Sequence, residues 1–424
     1  MNAFTPETAA LLQGSTARRA RRQVASKHLG TMSLPTQAEE IWRYSRVGDI
    51  DLAAFSPAVG DWDETVTRTA AAPILERTGP TAAVVLVHNG RVVSVEVDPE
   101  MAAGGLVIED AEVEVSDAEV ADRPLNADFF SCLNEAFGPG PLIVRIPARM
   151  VVDHPVVVVH WFSGEAKASF PATQVHCGTD SQLTVVEHLV SDDVRAMVCP
   201  EIDLDLAPAA RLRFVSIQDL GARVFSIARQ RSLVDRDAHL TASAVALGGD
   251  YARVRTDSRI HGKGGSSTLS AAYFADGNRM HDFRTLQDHA APASSSDLVF
   301  KGAVADHARS VYSGLIRVGK EAPGTSAFQT NRNLVLSDGA SAESVPNLEI
   351  ETDDVQCSHA SAVGPIDEEQ RYYLESRGVP PDVAQRLIVL GFLADVIDRV
   401  TSPAQAAAIR STIAQRLSHL RADG

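Results

Sequence analysis

The sequence predicts a mainly β fold: a right-handed parallel β-helix core over residues 140–364, held between N-terminal and C-terminal helical regions. Three observations predict it. From about 140 to 364 the chain runs through short Val/Leu/Ile/Thr stretches, among them Leu142–Ile146, Val156–Trp161, Leu183–Leu189, Leu212–Ile217 and Val224–Ile227, with no convincing helix. Small polar turns lead back into an apolar or β-branched residue at 183, 212, 240 and 268, spacings of 29, 28 and 28. A steady period of this size marks a solenoid, each coil stacking on its neighbours. Finally, convincing helical patterns lie in the flanks. A β-sandwich is the competing fold, but its turns recur every ~8–12 residues.

Residues 1–80 form the N-terminal helical region. Residues 5–29 read as helix, rich in Ala, Leu and Arg with no Pro after Pro6. The cluster Arg18, Arg19, Arg21, Arg22 and Lys27 follows Thr16 and reads as a solvated helix face. An anionic partner and a mitochondrial transit peptide are the alternatives. Pro35 breaks the chain, and 37–46 (QAEEIWRYSR) reads as a short helix carrying Trp42 and Tyr44. Residues 81–139 connect this region to the core. Within them Ala82–Val87 and Arg91–Val97 are β-branched runs split by His88-Asn89-Gly90, a hairpin signal.

Residues 365–424 form the C-terminal helical region. Asp367 with Gln370 reads as an N-cap and its capping-box partner for a helix Glu368–Ser376 that stops at Gly378. A second helix begins near Pro381 and runs to about Val400. A third opens on Ser402-Pro403-Ala404-Gln405, again a capping box, and ends near Leu420. The second helix is apolar over much of its circumference: Val383, Leu387, Leu390, Ala394 and Ile397 on one side, widened by Ala384, Ile388, Phe392 and Val396. Such a helix is covered from more than one side, within the chain or by a partner.

Composition narrows function. Acidic residues outnumber basic ones 55 to 39, a formal charge of −16. The first 46 residues carry +4 and the last 60 carry −1, which leaves −19 on the middle. A general nucleic-acid binder needs a basic footprint and is excluded. The longest strongly apolar run, Leu387–Ala394, is too short to span a bilayer. Four cysteines form no CxxC, which argues against a disulfide scaffold or a four-cysteine zinc site. With no secretory h-region at the N-terminus, a reduced cytoplasmic setting is expected.

No GxxxxGK[ST], GxGxxG after a strand, HExxH or GxSxG occurs. His261-Gly262-Lys263-Gly264-Gly265-Ser266-Ser267 is Gly-rich, but its place in the repeat marks it as a turn. One local pair carries chemistry: Cys357-Ser358-His359. On a strand the thiol and imidazole would share a face, ~7 Å apart. Sulfur plus imidazole suits iron, zinc or Cu(I). Asp353 and Asp354 supply hard ligands or simply a turn. Two ligands do not close a metal site. A buried cysteine beside a structural histidine, and a Cys–His hydrolase, stay open as alternatives.

Longer motifs carry a resemblance. Pro346-Asn347-Leu348-Glu349-Ile350, Asp353 to His359, Gly364-Pro365-Ile366-Asp367-Glu368-Glu369-Gln370 and Tyr373-Leu374-Glu375-Ser376-Arg377-Gly378 closely resemble the SufB/SufD family of iron–sulfur cluster assembly proteins. So do His289-Ala290-Ala291-Pro292, Ser295–Lys301, Asp306–Gly314, Phe328-Gln329-Thr330-Asn331 and, more weakly, Glu39–Tyr44. The resemblance implies a β-helix between helical ends. It also implies a non-catalytic scaffold in a complex of one SufB, one SufD and two SufC ATPases, with SufC docked on the C-terminal helices. Candidates for that contact are Tyr372, Tyr373, Leu374, Arg377, Leu387, Leu390 and Phe392. Asn331 stands where SufB has a cysteine and Ala360 where SufB has a glutamate, which points to the SufD branch. His359 then matches the family's implicated histidine, and Cys357 a frequent cysteine position. A transient iron–sulfur cluster at the SufB boundary follows, and a flavin in the complex is possible. A homodimer acting without SufB and a β-helix carbohydrate-active enzyme are the alternative functions.

Overall fold

A computed structural model describes residues 3–12, 14–60, 62–111, 128–400 and 402–419. Its centre is a parallel β-solenoid in which each coil gives one strand to each of two sheets. The first sheet stacks Pro141–Ile146, Ala172–Cys177, Glu201–Leu206, Val224–Val234, Tyr251–Ile260, Met280–His289, Arg309–Val318 and Ser341–Ile350. The second stacks Val156–Phe162, Gln182–Ser191, Arg211–Asp219, His239–Ala246, Ser266–Ala275, Ser295–Val304, Thr325–Val335 and Val355–Gly364. The parallel pairing of successive coils rules out the sandwich. At the N-terminal end the second sheet is closed by the expected hairpin. Ala83–His88 pairs with Val156–Phe162, and Arg91–Val97 folds back antiparallel.

The period has a local cause. Asp180, Ala209, Asp237, Gly264, Ala293 and Gly324 occupy the same turn of successive coils, all with positive φ. Each donates its backbone N–H to the next coil: to Pro208 O, Arg236 O, Lys263 O, Pro292 O, Pro323 O and Asp354 O. That ladder holds a left-handed conformation that costs a non-glycine residue energy. Leu183, Leu212 and Leu240 are register partners, as their spacing predicts. Leu240 then pairs with Ser267 rather than Thr268, because that coil is one residue shorter.

Inside the first coils the inward residues are Leu, Val and Phe, such as Leu183, Val185, Leu212 and Phe214. Towards the C-terminal end the interior turns polar. Tyr273 Oη donates to Asn333 Oδ1 at 2.6 Å, Asn333 Nδ2 donates to Asn331 Oδ1 at 2.8 Å, and both nitrogens of His289 meet serines 294 and 296 at 2.8 Å.

Helices cover the outer faces. In chain order they are α1 (Pro6–Ala10), α2 (Thr16–Leu29), α3 (Glu64–Leu75), α4 (Pro99–Ala103), α5 (Phe129–Phe137), α6 (Glu368–Ser376), α7 (Pro381–Val400) and α8 (Pro403–His419). α1, α2 and α5 pack on the first sheet through Phe4, Leu29, Phe130 and Phe137 against Met197, Tyr251 and Met280. The expected helix over 5–29 is thus two helices, α2 being capped by Ser15, whose Oγ accepts from Arg18 N. The expected end of the third helix at Leu420 falls outside the described residues.

Two further N-terminal expectations are corrected. Arg18, Arg21 and Arg22 are buried, not solvated. Arg18 Nη1 and Arg21 Nε donate to Glu135 Oε1 at 2.6 Å, and Arg18 and Arg22 donate to the Gly138 carbonyl. The C-terminal end of α5 exposes carbonyls that cations satisfy. Residues 37–46 hold only a single 3₁₀ turn, Glu40–Trp42. Two carbonyls of this segment go to the solenoid: Arg253 donates to Ile41 O at 2.7 Å and Arg284 to Arg43 O at 2.5 Å, with Arg253 stacked 3.9 Å from the Trp42 ring centre.

α7 and α8 lie on the outer face of the second sheet. Val389, Leu393, Val396, Ile409, Ile413 and Leu417 pack on Val186, Val215, Val245, Ala272, Phe274 and Ala303. Most of the wide apolar face of α7 is therefore covered within the chain. No helix among the described residues is long and apolar enough to cross a membrane.

Candidate functional site

The last coil is built like the others but carries no coil above it among the described residues. Its strands are Ser341–Ile350 and Val355–Gly364. In register, Cys357 stands over Ala327, His359 over Gln329 and Ser361 over Asn331. Those partners are inward-facing and buried, so Cys357 and His359 project from the same inward face at the open end. Cys357 is half-buried and packs with Ile316, Val318, Ala322 and Ala327, whereas His359 is exposed. Around them Leu348, Ile350 and Val363 are exposed apolar residues, 37%, 41% and 44% accessible, where inward positions of earlier coils are covered.

Burial pushes the Cys357 thiol up from its ordinary range, and a hydrogen bond with the Ala327 backbone offsets part of this. A thiol held protonated is a poor nucleophile, but a metal ion displaces its proton. Burial also raises the other three cysteines, Cys132 to about 11 and Cys177 to about 12, and Cys199 likewise. Asp353 and Asp354 are exposed and make the turn before the strand: Asp354 O accepts from Gly324 N, and Val355 N donates to Asp353 O. Among the described residues no three metal-ligating side chains stand together. Cys357 and His359 thus stand at the open end of the solenoid with no third such side chain grouped with them among the described residues.

The partner-contact candidates divide into two groups. Tyr372 (75% accessible), Tyr373 (57%) and Leu387 (49%) are exposed, and Arg377 lies 5.0 Å from the Tyr373 ring centre. Leu374 is half-buried on α6. Leu390 and Phe392 instead pack inward with the α7–sheet cluster. Lys301 Nζ sits 5.0 Å from the Phe392 ring centre, donates to Phe392 O at 3.3 Å and pairs with Asp395 at 2.9 Å.

Sequence reasoning passed over Gln329. It lies one coil, 30 residues, below His359, and only the register reveals that neighbourhood.

Comparison with known proteins identifies the family. Residues 160–392 match the family described as SUF system FeS cluster assembly, SufBD core domain. An iron–sulfur cluster assembly SufBD family protein of Mycobacterium tuberculosis is 31% identical over 387 residues, 89% of this chain and 88% of that protein. A Mycobacterium leprae member is 37% identical over 235 residues, 54% of this chain and 59% of its own length. The iron–sulfur cluster assembly protein SufD of Escherichia coli is 27% identical over 402 residues, 93% and 92% of the two chains. The solenoid, its helical ends and these matches together make the chain a member of the SufBD family of iron–sulfur cluster assembly proteins.

Proposed function

We propose that the chain is a SufD-like, non-catalytic scaffold subunit of a cytoplasmic SUF complex. In it the open end of the solenoid meets SufB, a nascent iron–sulfur cluster is held transiently at that boundary, and the C-terminal helices dock the SufC ATPase. The observation that carries the reading is the last coil, uncapped among the described residues, with Cys357 and His359 inward-facing and no third ligand grouped with them there. A SufB chain facing that end would complete the donor set. Neutral imidazole binds iron and holds it more loosely than a thiolate, which suits a cluster that is handed on. The exposed Tyr372, Tyr373 and Leu387 would receive SufC. α7 runs across several coils of the second sheet, so force applied at SufC would pass into the solenoid, whose coils contact only their neighbours.

The test is co-purification with SufB and SufC, followed by anaerobic cluster assembly read as absorbance and iron content. His359→Ala should leave the complex intact and cut cluster yield at least about tenfold, the size of one lost ligand or outer-shell partner. Cys357→Ser should have a smaller effect. Parental assembly rates in His359→Ala would return this residue to a structural histidine.

A further inference from the structure

We infer that Gln329 is the positioning residue for His359. Its side chain is inward-facing and only 2% exposed, one coil beneath the imidazole and in direct register with it. Neither amide atom, Nε2 nor Oε1, has a hydrogen-bond partner among the described residues. The polar side chains around it are mostly engaged with one another. Tyr312 Oη and Thr285 Oγ1 are 3.1 Å apart, and Asn331 belongs to the Tyr273–Asn333 network. Across the axis Gly314 leaves the amide its space: a Cβ there would stand 2.8 Å from Gln329 Nε2 and 2.2 Å from Tyr312 Oη.

A buried amide with no partner is expensive and is normally satisfied by a side chain or by water. Coils stack ~4.8 Å apart, so a rotation of either side chain brings Oε1 within reach of an imidazole N–H. An imidazole that ligates metal typically donates its other N–H to such an acceptor, which fixes the tautomer and aims the free nitrogen. Gln329 does this for His359, holding one ring nitrogen so that the other faces out of the open end. The inference rests on the ligand role proposed for His359, yet it can be read on the unliganded chain.

The experiment is ¹⁵N NMR on the full chain labelled at histidine, above the imidazole titration range, with the His359 signal assigned by its loss in His359→Asn. The parent should show one His359 tautomer in about tenfold excess, the bias of one net hydrogen bond. Gln329→Glu, whose carboxylate accepts the same N–H, should keep that excess. Gln329→Met, of similar volume and without an acceptor, should lose it, and Gln329→Leu serves if the Met variant fails to fold. Unmoved signals from the buried His160, His281 and His289 certify the fold. A parental tautomer ratio in a folded Gln329→Met or Gln329→Leu chain would overturn the inference. The same variants then go into the cluster assay. A biased tautomer in the parent with full assembly in His359→Ala would uphold the positioning and remove only the ligand role.

Discussion

Glu201 lies on the outer side of the first sheet beneath α5, where Ser131 donates to its Oε1 at 2.5 Å and Arg231 Nη2 stands 3.7 Å from Oε2. Burial pushes its carboxyl up to about 7, and the arginines offset only part of that. The folded chain therefore keeps this proton at pH values where the unfolded chain has lost it. The stability it contributes is full below the ordinary value of 4.5 and is lost as pH rises through about 7. Glu201→Gln keeps an oxygen for Ser131 and removes the titration. The variant should be more stable than the parent at about pH 8, by up to about 3 kcal/mol, and should show a flatter slope between about pH 5 and about pH 8. Denaturation midpoints at both pH values check this, and equal slopes in the two chains would refute it. Burial of this kind is poorly legible in sequence. Arg18, Arg21 and Arg22 have the spacing of a solvated face, yet their partners Glu135 and Gly138 lie more than 100 residues away. Cys357 and His359 were legible as a pair because strand alternation is local. Gln329 was not, because finding it requires the length of a coil.

At the scale of elements, repetition made the solenoid readable. One turn conformation recurs at Asp180, Ala209 and Asp237, and a small residue marks it each time. The count weakens where coils change length: Met280 pairs with Arg309 across 29 residues, but Arg309 pairs with Ser341 across 32. The C-terminal helices were readable from their caps, since Asp367 Oδ1 accepts from the backbones of Glu369 and Gln370. What their apolar faces touch was not readable, because helical periodicity gives a face and not its partner. The packing of α7 now ranks the docking candidates. Leu387 is exposed, so Leu387→Asp should leave the fold intact and weaken SufC binding about tenfold or more. Phe392→Asp would put a carboxylate into the cluster that joins α7 to the second sheet and should lower stability first. Titration calorimetry with SufC, beside circular dichroism, separates the two. Parental affinity in folded Leu387→Asp would take this face of α7 out of the contact.

For the whole molecule the asymmetry of the two solenoid ends matters most. At the N-terminal end the second sheet is closed by the hairpin Ala83–Val97, and the first sheet by Val107–Asp110 lying antiparallel to Pro141–Ile146. At the C-terminal end the last coil offers Leu348, Ile350 and Val363 with no cover among the described residues. An uncapped solenoid end combines unpaired backbone with apolar surface and so favours association. In the proposed complex SufB takes this place, and without SufB a second copy can occupy it. The isolated chain should therefore dimerise at micromolar concentration, and added SufB should dissolve that dimer in favour of the mixed pair. Ile350→Lys, placed at the open end of the first sheet, should yield a monomer that fails to capture SufB but binds SufC as the parent does. Leu387, the proposed docking residue, lies on the helix that covers the outer face of the second sheet, whereas Ile350 lies on the last strand of the first sheet, which is what makes this separation of partners a fair test. Sedimentation velocity on parent and variant, with and without SufB, reads it. A monomeric parent, or an Ile350→Lys chain that still pairs with SufB, would move the partner surface away from the last coil and with it the site at Cys357 and His359.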